Sequence, residues 1–250
     1  MSVDIALWAE SFRQDEFPPF RCPTCQKGTL SLVPDSLKIV ETERSKRAFK
    51  DSDDWEPDWT ENRFSAFMTC SSSKCGELVV VSGDTEVVEE DDAEFRRVWA
   101  SHPRPRSIFP APYIIALPPE VPDDVERELQ QAFLLFWADL NASANRLRTS
   151  LERVMDALKI KRFNKSGKRV SIPLAQRIKV FEQEHGTEFS EIFTALRLVG
   201  NLGTHAEVTR TALLSAFEVY EHALNELFGK HKKKIEKLSK KLVKGKGKIK

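Results

Sequence analysis

The residues of this chain best spaced for chemistry are its cysteines. They fall as CPTC, Cys22 and Cys25, and as CSSSKC, Cys70 and Cys75, and the chain has no others. Two short-spaced pairs suit tetrahedral zinc, because each tight turn presents two thiolates to one side. Pro23 stiffens the first turn, and Gly76 permits a tight backbone after the second. The second pair encloses four residues rather than two, and Gln26 follows the first pair where a glycine is usual. No cysteine is left over to imply an open coordination position, so the expected role of Zn2+ is structural. The alternative is four reduced, buried thiols. Disulfides are disfavoured because the N-terminus, MSVDIALWAESF, carries Asp4 and Glu10 and lacks the basic-then-apolar plan of an export signal.

A second constellation lies in ALRLVGNLGTHAEVTR, residues 195–210, which holds Arg197, Asn201 and His205. A histidine near its ordinary pKa can take or return a hydroxyl proton, and a fixed guanidinium can clamp a phosphate. Arg197 and Asn201 are four apart and share a helix face. The helix is expected to break at Gly200 and Gly203, which sets His205 at the mouth of the next helix, where an anion is favoured. Three roles stay open for this set: catalysis, a non-catalytic anion pocket, or structure, with Arg197 bridging to Glu152. Arg148 and Glu152, also four apart, are expected to form a buried structural pair. His102, His185, His222 and His231 belong to no motif and are expected at the surface. There is no phosphate-binding P-loop, no Gly-rich dinucleotide turn, no Ser–His–Asp signature and no acid cluster spaced for magnesium.

These residues need elements to position them. Residues 1–17 predict a short amphipathic helix. SLKIVETE at 36–43, RFSAFMTC at 63–70 and ELVVVSG at 77–83 predict strands from their β-branched and aromatic content. They give a zinc-ribbon-like domain over 18–100, with an acidic, exposed insert at 51–61 that carries Trp55 and Trp59. Residues 101–122 are rich in proline and predict an extended strap packed onto a domain. From Pro122 the pattern turns helical. Five amphipathic segments, at 122–140, 143–160, 172–186, 187–200 and about 206–229, predict a helical bundle over 123–229. The fold class expected is α+β: a small zinc-ribbon domain, then an all-α bundle.

YIIALPPEVPDDVERELQQA, then Arg148 and Glu152 in RTSLE, then LRLVGNLGTH, together resemble a bacterial family of unknown function. Its members carry N-terminal cysteines, a proline-rich strap and a helical domain with an Arg-x-x-Gly-Asn-x-x-x-His signature, and the domain recurs in some type I restriction subunits. The helical domain is similar to the HEPN class, many of whose members are metal-independent ribonucleases in anti-phage systems. The resemblance implies Arg197, Asn201 and His205 as catalytic residues, a homodimer, and RNA as substrate. The HEPN nuclease signature separates Arg and His by four to six residues; here seven intervene.

Charge adds a partner class. Residues 230–250 hold eleven Lys and one Glu, so this tail carries +10, while the net charge of +1 leaves −9 on the rest. A basic tail on an acidic body points to nucleic acid, RNA above all, bound by the tail and the helical domain. The bland alternative is a solvated terminus. The acidic Trp insert is expected to contact a partner protein. No apolar run reaches the roughly 20 residues that span a bilayer, so no membrane partner and a cytoplasmic location are expected.

Overall fold

The computed structural model describes residues 3–92, 96–164, 170–229 and 238–245, and at 185 and 203–205 the backbone alone. The chain divides into two units. One comprises residues 4–113 together with 133–139, and the other residues 1–3, 114–132 and 140–250.

The first unit is built on an antiparallel sheet: β1 (Leu30–Leu32), β2 (Lys38–Glu41), β3 (Asn62–Cys70), β4 (Leu78–Asp91) and β5 (Arg97–Phe109). β1 and β2 both pair with β3, and the order continues β3–β4–β5. Strict alternation makes β3 a half-buried strand. Phe64, Ala66 and Met68 point inward, and Arg63, Ser65 and Phe67 point outward. Val79 and Val81 of β4 and Ile108 of β5 join the inner face. Trp8 stacks near Phe20, Phe136 and Trp137 at centroid separations of 5.1, 5.8 and 5.9 Å. The last turns of the helix that follows the strap thus complete this core.

Three expectations for the region need correction. In place of a helix over 1–17 there is one 3-10 turn, Ile5–Trp8, capped by Asp4. The chain then lies along the β4–β5 hairpin, where the Phe12 amide donates to the Pro103 carbonyl and Gln14 to the Ser101 carbonyl. Trp8 packs against Phe20, Phe136 and Trp137, and Phe12 against Phe17 at 4.7 Å, so the extended segment buries both rings without a helix. The first half of the expected strap is strand β5, not a connector. Proline cannot donate to a ladder, but β5 is the edge of the sheet, and edges tolerate it. Pro103 and Pro105 are buried, opposite Thr85 and Gly83, next to a bulge at Ser82–Gly83. The other arm of that hairpin is β4, whose end, Glu86–Asp91, is rich in acids. Finally, helix α1 (Glu43–Asp51) begins where a strand was expected to end, with Thr42 accepting from the Ser45 amide as its cap.

The second unit holds the first part of α2 (Asp123–Ala138), to residue 132, and α3 (Leu140–Ala157), α4 (Leu174–His185), α5 (Ser190–His205) and α6 (Arg210–Phe228); all five overlap the segments expected from periodicity, α5 running five residues further. Asp123, Asp124 and Glu126 open α2, favoured by the positive end of the helix dipole. Leu147, Leu151, Val154 and Met155 of α3, Phe181 of α4, Phe193 and Leu196 of α5, and Leu213, Phe217 and Tyr220 of α6 are fully buried. The Ser150 hydroxyl and the Tyr220 phenol lie 3.2 Å apart inside this core. Burial pushes the phenol well above its ordinary value, so it stays protonated. No described helix is long and apolar enough to cross a membrane.

One charged side chain is locked into this core. Arg177 of α4 is 2% exposed and sits in the apolar stripe of Leu174, Ile178 and Phe181. Its guanidinium donates to Asp156 Oδ1 at 2.6 Å, to the Ile160 carbonyl at 3.0 Å and to the Glu152 carbonyl at 3.3 Å. These acceptors lie on the last turns of α3 and in the residues just after it, so the clamp fixes α4 against that end. Truncating a buried, hydrogen-bonded charge strands its partners. Arg177→Ala is expected to lower unfolding stability by about 3–5 kcal/mol in a urea titration.

Candidate functional site

The structure brings the four cysteines together. Cys22 and Cys25 lie in the turn closed by the Arg21–Thr29 bridge, Cys70 ends β3, and Cys75 sits in the turn before β4. All four sulfurs lie within 4.8 Å of one another. Cys22 and Cys75 are 3.8 Å apart, and Cys25 and Cys70 3.7 Å. Bonded sulfurs would stand about 2.05 Å apart, so these are free thiols. Zn–S bonds of about 2.3 Å set tetrahedrally hold sulfurs about 3.8 Å apart, which is the separation found.

The surrounding backbone is shaped for thiolates. The Gly28 amide points at Cys25 Sγ at 3.5 Å, and the Ser72 amide at Cys70 Sγ at 3.4 Å. Gln26 adopts a positive φ of 53°, taking the turn conformation that a glycine would supply. Gly28 is needed for space, because a Cβ there would sit 2.6 Å from Cys70 Sγ. Cys22 and Cys70 are buried, and Cys25 and Cys75 form a half-exposed rim.

The thiols are poised unequally. The amides of Gly28 and then Lys27 bring Cys25 down to about 6, so it is a thiolate at neutral pH. The Ser72 amide pulls Cys70 down, but burial and the neighbouring thiols together push it up to about 12. Cys75 is also raised: burial and the Cys25 and Cys22 thiols outweigh the Glu77 amide. An anionic Cys25 beside the raised thiols of Cys70 and Cys75 is a set that a divalent cation completes by displacing protons. The residues therefore fit a structural Zn2+ with no position left for substrate.

The helical signature is arranged differently from expectation. α5 does not break at Gly200 or Gly203 but runs on to His205. Gly200 is a contact residue: a Cβ there would meet Arg148 Cβ at 2.4 Å and the Ala144 carbonyl at 3.1 Å. The glycine lets α5 lie against the backbone of α3. Each helical glycine costs about 1 kcal/mol relative to alanine, and the buried Phe189, Phe193 and Leu196 offset that loss. His205 therefore stands at the C-terminal end of α5 and not at the mouth of α6, which starts at Arg210 behind the Thr209 cap. A helix C-terminus favours cations, the reverse of the expected anion-attracting end.

A continuous helix sets Arg197, Asn201 and His205 at four-residue steps along one face, with Arg197 and His205 about 12 Å apart along the axis. Arg197 and Asn201 are both half-buried. Arg197 forms no ion pair or hydrogen bond among the described residues, so the expected bridge to Glu152 is not made. The side chain of His205 lies outside the described residues, as does that of His185; His231 and residues 230–237 and 246–250 of the basic tail lie outside them altogether. His222 is exposed. His102, expected at the surface, is half-buried, with Nε2 3.0 Å from Glu90 Oε2.

With this geometry in place, known families can be compared. Residues 10–106 match a domain of unknown function, DUF8608, and residues 130–243 match another, DUF4145. The first match takes in the cysteine cluster and nearly all of the sheet, and the second takes in α3 through α6 with the signature. No curated protein and no solved structure matches the chain.

Glu152 holds Arg148 at 3.3 Å, in a pair left 26% and 32% exposed and not buried as expected. Arg177 was the functional-looking residue that sequence reasoning passed over; its signal was an arginine within the stripe Leu174, Ile178, Phe181.

Two measurements follow from these sites. Purified protein is expected to carry one zinc per chain by metal analysis, and Cys22→Ser or Gly28→Ala to lose it, because the alanine methyl displaces the Cys70 sulfur. In the helical unit, Gly200→Ala is expected to destabilise by about 1–3 kcal/mol through overpacking against α3. Glu152→Ala, by contrast, costs no more than about 1 kcal/mol, as for other solvent-screened pairs.

Proposed function

We propose that this chain is a nucleic-acid-directed component of bacterial anti-phage defence, and that its helical unit is a HEPN-like bundle that binds and cleaves RNA. The observation that carries the reading is the α5 face. It offers Arg197, half-buried and without an ion pair or hydrogen bond among the described residues, in line with Asn201 and His205. A guanidinium held in place but left unpaired suits an anion that arrives from outside, and a phosphodiester is the anion for which Arg geometry is best matched. In the reaction His205 takes the 2′-hydroxyl proton, and Arg197 offsets the charge that builds on the phosphorus. Asn201 positions the strand. A 12 Å spacing along one helix is long for one phosphate. That favours a homodimer in which the α5 face of each protomer lines a shared groove. Leu198 and Leu202, 51% and 44% exposed beside the signature, supply apolar surface for such a contact. The zinc-ribbon-like unit and the Lys-rich tail would add affinity for the nucleic acid.

A second reading is favoured by a different observation. Trp59 is 52% exposed in the acidic insert and lines a cleft of about 580 Å3 with Asp58 and Glu61. That is a surface for a partner protein, and on this reading the chain is a non-catalytic adaptor in a defence or restriction complex.

The two readings separate experimentally. For the nuclease, RNA is cut and DNA spared, since the reaction needs a 2′-hydroxyl. Arg197→Ala and His205→Ala each abolish cutting with the melting temperature nearly unchanged, and no divalent metal is required in the assay. A well-folded dimer that cuts no RNA, alone or with partner proteins, leaves the adaptor.

A further inference from the structure

The outward face of the sheet is a second surface with a definite chemistry. Where β3, β4 and β5 lie side by side, the register stacks their outward residues into rows. Phe67, Val80 and Phe109 form one row across the three strands. Their exposures are 42%, 42% and 62%, and Leu78 beside them is 49% exposed. The next row is Ser65, Ser82 and Ser107. The third is Arg63, Asp84 and Arg104. Arg106 reaches into this third row, with its Nε 3.2 Å from Asp84 Oδ2, while Arg104 Nε lies 2.6 Å from Asp84 Oδ1.

The face therefore runs from two exposed aromatic rings, over three hydroxyls, to a cluster of guanidiniums. Phe67 and Phe109 are separated by two strand spacings, about 10 Å. Asp84 answers Arg104 and Arg106; partial burial raises its carboxyl, but these two guanidiniums outweigh that and hold it below its ordinary value, while Arg104 also reaches Glu10 at 3.7 Å. Among the described residues Arg63 donates to the Asn62 carbonyl and forms no ion pair, and Lys38 of β2, exposed beside Ser65, adds a further charge. This positive patch stands on a chain whose residues before the tail sum to −9. Rings, hydroxyls and cations in ordered rows match a ligand that alternates flat apolar groups with phosphates.

We infer that this sheet face is a binding platform for single-stranded nucleic acid, with bases stacked on Phe67 and Phe109 and phosphates on Arg63 and Arg106. The serine row between them meets the sugars. Asp58 and Glu61 share with Arg63 and Arg104 the cleft at this end of the face; they repel a phosphate backbone and end the track there. The inference rests on the nucleic-acid reading above but places strand capture on the sheet, apart from the helical signature.

The test uses the full chain and fluorescent oligothymidylate of about 15 nucleotides, which a 2′-hydroxyl-dependent nuclease cannot cut. Anisotropy is read at about 0.3 M salt, where the contribution of the tail lysines is weakened. Phe67→Ala and Phe109→Ala are each expected to weaken binding about tenfold, the scale of one lost base stack. Arg63→Glu should weaken it comparably and flatten the salt dependence, with zinc content and melting temperature retained in all three variants. Variants that stay folded and bind like wild type overturn the platform and leave the nuclease standing. Variants that instead shift the oligomeric state with binding unchanged assign the face to a protein contact and also overturn it. A wild-type chain that binds neither oligothymidylate nor RNA overturns both.

Discussion

Four sulfurs held within 4.8 Å of one another are the constraint on which the first unit depends. Such a set is unfavourable as several thiolates and leaves polarised amides facing sulfur, until a divalent cation removes the repulsion. The consequence reaches beyond the metal. Cys22 and Cys25 tie the turn at 21–29 to the end of β3, and β1 pairs with β3 from Leu30 opposite Cys70 onward. The register of β1 is thus set at the cysteine cluster, and the alternation of β3 follows outward from Cys70. A one-residue slip would turn Phe64 and Met68 out and Arg63 and Phe67 in. The metal site and the sheet face are linked by this register, although neither touches the other chemically.

In the helical unit the corresponding constraint is the approach of α5 to α3 at Gly200. The contact leaves no room for a methyl group, and it holds α5 helical across residues that would otherwise end a helix. This decides the shape of the signature. Arg197, Asn201 and His205 become a stripe along a rod rather than a cluster around a turn. Chemistry that needs two of them on one phosphate is thereby moved toward an arrangement with more than one helix. The Arg177 clamp acts similarly on α4, joining it to the end of α3 through Asp156 and two carbonyls. Both devices fix helix placement by short, specific contacts where apolar packing alone would allow sliding.

Proline governs the β5 edge. Pro103 and Pro105 remove two donors from the outer strand, and the N-terminal segment covers part of it, with Phe12 donating to the Pro103 carbonyl. An edge treated in this way resists pairing with another sheet. What remains exposed is the face and not the edge, so an incoming ligand would meet side chains rather than an open ladder.

Much of the fold was legible from local pattern. Cysteine spacing located the metal centre because a short loop between two ligands constrains its own geometry. The five long helices were legible because a buried stripe must recur every three or four residues. β3 was legible from its strict alternation. The rest was decided by tertiary contacts that no local pattern records. The glycines of LRLVGNLGTH signal a break by propensity, but α3 lies where a larger side chain would go, and packing outweighs about 1 kcal/mol per glycine. The prolines of SHPRPRSIF signal a connector, yet a sheet edge accepts them. The amphipathic look of residues 1–17 was real, but Trp8 and Phe12 satisfied it against the hairpin and the end of α2. Arg177 entered an apolar stripe because the Asp156 carboxylate and the Glu152 and Ile160 carbonyls accept its guanidinium there. Sequence by itself determined which residues must be buried and which thiols must meet; only the tertiary structure decided which backbone lay close enough to override local preference.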